Sequence, residues 1–309
     1  MNDSSRPSTF VAWAQLVRLP NVFTVIADVG AAFLLVAHGP DPVPQFILIL
    51  LAGIALYWGG MILNDVFDID RDRQERPTRP IAAGHVSLSA ATRVGWILLI
   101  VGVAIALACG YVPGTVALVL AAMIVAYDGP LKSTPLAPAA MGACRVLSFL
   151  LGASAALAFD DGVEIPRYII GIAGGFGVYI MGITTMARDE ATAGRSPLLA
   201  TGLVVTIVGI GLLAVSPQIA DQPNAWHTDV QRTFPLLVGM IGLPVILRAG
   251  RAVLEPTPTN IQNAIRVGIL SIIPLAAAMA FLGAGPIWGL AVFALVVPAI
   301  ALAAKFRVT

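Results

Sequence analysis

Charge is what this chain has least of. Only 11% of its 309 residues are Asp, Glu, Lys or Arg, against roughly 25% in an ordinary soluble domain. With 58% hydrophobic residues and a mean hydropathy of +0.89, it cannot hide its apolar surface in one soluble core, and a soluble nucleotide-binding enzyme is excluded. Neither G-x-G-x-x-G after a strand nor G-x-x-x-x-G-K-[ST] is present. Cysteine is almost absent: Cys109 and Cys144 lie far apart in apolar runs, so neither a disulfide framework nor a zinc site is expected, and both read as small core residues. The first twenty residues show no short apolar run followed by a small-residue cleavage site, so no removable signal peptide is expected. Basic stripes with interleaved aromatics are missing too, and nucleic acid is not an expected partner.

What remains is a succession of apolar runs near 21–38, 45–63, 94–111, 112–127, 137–158, 167–186, 197–215, 233–248, 263–282 and 287–304. Each is long enough, or nearly so, to cross a hydrocarbon layer of about 30 Å. The expected fold is all-α: a polytopic membrane bundle of nine or ten transmembrane helices forming one domain over 1–309. Tight hairpins are expected at Gly110–Gly114 and Gly283–Pro286. With the N-terminus in the cytoplasm, most basic residues, from Arg18 through Arg71, Arg73, Arg76, Arg79 and Lys132 to Arg251 and Lys305, fall on the cytoplasmic side. Arg167 and Arg232 do not. The asymmetry follows the positive-inside rule, favours an even number of crossings, and points to a multi-pass protein of the cell inner membrane.

Directly after the second run stand Asn64, Asp65, Asp68, Asp70 and Asp72, interleaved with Arg71, Arg73 and Arg76 and followed by Arg79-Pro80. Asn64, Asp68 and Asp72 are spaced i, i+4, i+8 and line one face if the helix continues. Stacked carboxylates repel unless a cation sits among them, and magnesium suits oxygen ligands shared with a substrate phosphate. The competing reading is an acidic, solvated helix end. Ionisable groups placed directly against an apolar span favour the site.

The run Asn64-Asp65-x-x-Asp68-x-x-x-Asp72, with Arg79-Pro80 and Gly84, resembles the first signature of the UbiA superfamily of membrane prenyltransferases. A later family segment resembles Tyr127-Asp128-Gly129-Pro130-Leu131-Lys132. The resemblance implies magnesium-dependent transfer of a prenyl group from an isoprenyl diphosphate to a small, aromatic or otherwise lipophilic acceptor. It implies Asn64, Asp68 and Asp72 as metal ligands, Asp68 and Asp72 as catalytic, and Asn64, Arg79 and Lys132 as diphosphate contacts. Arg145, inside the fifth run, reads as a further diphosphate and catalytic contact, against the alternative of a snorkelling structural arginine. Asp28, inside the first run, is a partner for Arg145, a helix–helix hydrogen bond or a substrate-facing group.

The family's second aspartate motif is altered. The corresponding stretch reads Thr184-Thr185-Met186-Ala187-Arg188-Asp189-Glu190-Ala191 and is more similar to the UbiA-like members encoded in bacterial ebo operons. Aligning Tyr57–Asp72 with Tyr179–Gly194 sets Gly60 on Gly182, Asp68 on Glu190 and Asp72 on Gly194, the trace of an internal repeat. Glu190 is then the retained ligand and substrate contact. Arg188 either neutralises phosphate charge in place of a second magnesium or forms an interfacial ion pair. The alternative function is non-catalytic binding or transport of a phosphorylated or prenylated lipid. The oligomeric state is not legible.

Overall fold

Ser8 opens the first helix, its hydroxyl accepting from the Val11 amide at 3.4 Å. In the computed structural model, which describes residues 7–157, 165–188, 197–220 and 225–306, this helix α1 (Thr9–Leu16) is short and precedes the spans. Ala12 and Leu16 pack with Ile62, Ile81, Val86 and Ala91, so α1 lies over the end of the bundle. Arg18 then adopts a left-handed conformation (φ 47°, ψ 57°), a backbone state costing a non-glycine residue roughly 1–2 kcal/mol. The turn directs the chain through Pro20 into the first span.

The remaining helices are α2 (Val22–Ala37), α3 (Val43–Phe67), α4 (Ile69–Glu75), α5 (Leu88–Ala108), α6 (Tyr111–Ala126), α7 (Ala137–Leu157), α8 (Arg167–Ala187), α9 (Pro197–Val215), α10 (Thr233–Leu254), α11 (Pro258–Leu270), α12 (Ile272–Ala284), α13 (Pro286–Ala294) and α14 (Val296–Lys305). The helices α11 and α12 form one interrupted span, as do α13 and α14. Ten segments among the described residues are long and apolar enough to cross a membrane, so the upper end of the expected range holds. Their ends run past the apolar runs: α5 starts at Leu88, capped by the Ser87 hydroxyl at 3.3 Å from the Ala90 amide. Polar residues can extend a helix wherever their side chains leave the hydrocarbon. Both hairpins fall where expected, with Gly110 (φ 139°) and Gly285 (φ 87°) in conformations that favour glycine.

The described chain ends at the face of the bundle where it starts. Phe10 of α1 meets Phe306 after α14 with ring centroids 6.4 Å apart. On this basic face lie the ends of α3, α6, α8 and α10. The opposite face is closed by backbone contacts such as His227 N–H to Leu282 O at 3.0 Å. Cys109 and Cys144 are unpaired thiols in apolar surroundings, and burial pushes the Cys109 thiol above its ordinary pKa.

Between helices that share a lipid-like surround, close approach replaces the hydrophobic effect as the main source of cohesion. A Cβ on Gly59 would lie 3.0 Å from the Gly95 carbonyl of α5, and one on Gly182 would lie 2.7 Å from the Gly202 carbonyl of α9. The helices α3 and α8 are thus each pressed against the next span, α5 and α9, through glycine. The correspondence is inexact, because Gly60, the residue aligned with Gly182, faces Ile124 of α6 instead.

Gly182→Val should therefore lower the thermal midpoint in detergent, by overpacking worth about 1–3 kcal/mol. Gly211→Ala, where nothing lies within 4 Å of the added methyl, should leave it unchanged or raise it slightly. Thermal unfolding of the purified variants compares the two directly.

Candidate functional site

The polar cluster at the basic face is assembled from three stretches of chain. The first is the end of α3 and the start of α4. The hydrogen bonds Asp68 N to Asn64 O (3.1 Å) and Asp72 N to Asp68 O (2.8 Å) carry the helical pitch across the joint at Asp68, so the expected column of three positions forms. Their side chains then part company. Asn64 donates from Nδ2 to Asp128 Oδ1 at 2.6 Å, Asp68 pairs through Oδ2 with Lys132 Nζ, and Asp72 Oδ2 accepts from Arg79 Nη1 at 2.8 Å. Each of the three side chains thus has its own protein partner.

The second stretch, residues 76–87, brings Arg79 to Asp72. Ile81 and Val86 tuck beneath α1, Gly84 turns with φ 76°, and His85 N–H bonds to Pro80 O at 2.9 Å. Arg79 is only 9% exposed, and its Nη1 also reaches Asp65 Oδ1 at 3.1 Å. Arg18 approaches the same Asp65 oxygen at 3.7 Å. Arg79 is thereby a clasp between two buried carboxylates, and its Nη1 is fully engaged with them.

The third stretch is a widened π turn, Tyr127–Leu131, at the end of α6. Pro130 within it lacks an N–H to continue the ladder. The turn carries Asp128 inward, where it is buried, and sets Lys132 one turn later against Asp68. Nearby, Arg188 at the end of α8 donates to the Thr134 carbonyl at 2.6 Å. Glu190, Asp189 and Arg195 lie outside the described residues.

Inside the bundle, Arg145 of α7 pairs through Nη1 with Asp28 Oδ2 of α2. Asp28 is the partner of Arg145, and their bond is a helix–helix hydrogen bond between α2 and α7. The depth that called for an anion near Arg145 is met by this carboxylate. Sequence reasoning left Asp128, Asp65 and Arg18 unassigned. The signal for Asp128 was an ionisable residue in the last turn of an apolar span, the same signal that singled out Asn64 and Asp68.

Around the cluster, the carboxylates of Asp65, Asp68, Asp72 and Asp128 face the cations Arg18, Arg79 and Lys132. Asp128 is met by an amide, and one negative charge is in excess. No group of three His, Cys, Asp or Glu side chains among the described residues is gathered as a complete metal cage. An oxygen-only donor set with few protein ligands suits a hard divalent ion that keeps water and phosphate oxygens, and does not suit zinc.

A bundle with ten candidate spans and a cluster of acidic and basic side chains at one end defines a polytopic membrane protein. The profile of the UbiA prenyltransferase family matches residues 23–262, and the chain belongs to that family. It is similar to the digeranylgeranylglyceryl phosphate synthase of Metallosphaera sedula, 37% identical over 123 residues, which is 39% of this chain and 42% of that protein. The chain spans about half the length of the curated relatives it matches. In fold it resembles a UbiA homolog from Aeropyrum pernix K1 (TM-score 0.67, 18% identity, covering 85% of this chain and 97% of that one). It also resembles a UbiA homolog from Archaeoglobus fulgidus bound to GPP and Mg2+ (TM-score 0.61, 14% identity, covering 92% and 99%).

Removing Arg79 would leave Asp65 and Asp72 buried without their shared cation, a loss of about 3–5 kcal/mol. Arg79→Gln should accordingly unfold well below the parent protein. Arg71→Gln, which removes only the exposed pair with Glu75, should shift stability by under about 1 kcal/mol. Parallel melting curves in detergent test the contrast.

Proposed function

We propose that this chain transfers a prenyl group from an isoprenyl diphosphate to a small, aromatic or otherwise lipophilic acceptor, with magnesium as cofactor. The proposal treats 1–309 as a single domain of the cell inner membrane, N-terminus cytoplasmic, with the donor entering from surrounding lipid. The observation that carries it is the Asp68–Lys132 pair, both members partly exposed beside the Asn64–Asp128 hydrogen bond. A diphosphate offers Lys132 more negative charge than one carboxylate does, so Lys132 exchanges Asp68 for phosphate oxygens as the donor arrives. Asp68 is then free to act as an oxygen ligand together with Asn64 and Asp72. Magnesium held there supplies the positive charge that stabilises a leaving diphosphate.

In the transfer, the bond from the allylic C1 to the diphosphate oxygen breaks and its electron pair leaves with the diphosphate; an electron-rich atom of the acceptor forms the new bond to C1, and the proton that this atom gives up passes to the released diphosphate. Lys132 and Arg188 meet charge that develops on the leaving group. Arg79 acts through Asp72 by fixing its carboxylate. Glu190 is assigned to the same site as a further ligand. Support comes from membership of the family, from the archaeal relatives named for a prenylated glyceryl phosphate, and from the Archaeoglobus neighbour bound to GPP and Mg2+.

Calorimetry of the detergent-purified protein with geranyl diphosphate should show binding that needs magnesium, is lost with chelator, and weakens at least tenfold in Asp68→Asn. Pyrophosphate should be released in the same samples once an acceptor is supplied. Magnesium-dependent binding with no release across a panel of acceptors would favour a lipid carrier, and absence of magnesium-sensitive binding would overturn the diphosphate site.

A further inference from the structure

Among the described residues, Asp128 is the one carboxylate of the cluster at the basic face that no cation pairs with. It is 6% exposed, and the only hydrogen bond its carboxylate makes is the one Oδ1 accepts from Asn64 Nδ2 at 2.6 Å. The cations of the cluster are engaged elsewhere: Lys132 with Asp68, Arg79 with Asp65 and Asp72, and Arg18 with Asp65. Taking a carboxylate out of water is costly, and one hydrogen bond from a neutral amide returns only part of the cost. Packing alone therefore does not account for Asp128. The chain also leaves regular helical pitch to bring it there, through the π turn Tyr127–Leu131, and such widened turns are frequent at functional sites.

What the bond does follows from the chemistry of the amide. The two ends of an Asn side chain are unlike: Nδ2 only donates, and Oδ1 alone can accept a hydrogen bond or ligate a hard cation. A carboxylate is an acceptor, so Asp128 holds the nitrogen end. The oxygen end is left on the opposite, open side: among the described residues no donor takes Asn64 Oδ1, and this oxygen is not sealed from solvent. Without Asp128 the amide is free to turn over and present nitrogen to a cation, which it cannot ligate. Asp68 and Asp72 have no such need, since either oxygen of a carboxylate serves equally. Metal ligands are commonly fixed by partners standing behind them, and loss of such a partner weakens metal binding by about 10–100-fold.

We propose that Asp128 is a positioning residue for magnesium: acting through Asn64, it keeps the amide oxygen turned toward the cation that Asn64 shares with Asp68 and Asp72. The inference rests on the magnesium site of the proposed function and deepens it. It gives the π turn a purpose, which is to set the inward carboxylate of α6 against the amide of α3.

The test measures geranyl diphosphate binding by calorimetry across a series of magnesium concentrations, in the full-length protein in detergent, with melting curves in chelator alongside. In Asp128→Ala the magnesium concentration for half-maximal binding should rise by at least about tenfold, while saturating magnesium restores binding to the level of the parent. Asp128→Leu takes its place if Asp128→Ala does not fold. Asp128→Asn, which keeps an acceptor oxygen for Asn64 Nδ2, should stay within about threefold of the parent. In an Asn64→Ala background, loss of Asp128 should change the magnesium requirement by less than about twofold, because the amide through which it acts is gone. An unchanged magnesium requirement in Asp128→Ala overturns the proposal; if melting in chelator and maximal binding fall instead, Asp128 serves packing. Impairment of Asp128→Asn as deep as that of Asp128→Ala also overturns it, as does further weakening in the Asn64→Ala background, and either would make Asp128 a direct ligand. If Asn64→Ala does not fold, the comparison of Asp128→Ala with Asp128→Asn decides alone. Failure of the unaltered protein to bind geranyl diphosphate in response to magnesium would overturn the magnesium site itself, and the inference with it.

Discussion

A charge at the end of, or within, an apolar helix has to be met by an opposite charge from elsewhere in the chain, and this requirement organises the basic face. Asp65 and Asp72 are held by Arg79, Asp68 by Lys132, and Asp28 by Arg145. Lys132 and Arg145 reach partners 64 and 117 residues away, while Arg79 ties its own loop back to the joint between α3 and α4. Each therefore fixes how those elements sit, because an uncompensated charge in a medium of low dielectric costs several kcal/mol. The loop that carries Arg79 is ordered by the need to deliver it, with Ile81 and Val86 anchoring the loop beneath α1.

The pairs differ in how tightly they are closed. Arg79 lies between two buried carboxylates and behaves as scaffold, whereas Lys132 and Asp68 keep partial contact with solvent. An ion pair at a wet edge can be exchanged for a better one, and a sealed pair cannot be without unfolding its surroundings. This gradient from sealed to open runs from the joint between α3 and α4 toward the π turn.

Helix packing imposes a second, quieter constraint. Glycines at the contacts of α3 with α5 and α8 with α9 let backbones approach within van der Waals distance, which holds the ends of α3 and α8 in place. The likeness of the two halves is visible in these glycines and in Tyr57 and Tyr179. It ends at the hydroxyls, since Tyr179 donates to the Gly268 carbonyl whereas Tyr57 lies by Asn21.

The sequence by itself determined the class of fold, the ten spans, both glycine hairpins and the family, because hydropathy over twenty residues and the spacing of Asn64, Asp68 and Asp72 are local properties of the chain. It also marked Arg145 and Asp28 as charges out of place, and the family resemblance marked Lys132. Only the tertiary structure decided what those charges meet: Asp128 behind Asn64, Arg79 as a clasp on Asp65 and Asp72, and Asp28 against Arg145. Such partners lie up to 117 residues apart, and no periodicity encodes them. They follow from which helices neighbour one another and from the π turn at Tyr127–Leu131, which rotates Asp128 inward by a departure from regular pitch that composition does not announce.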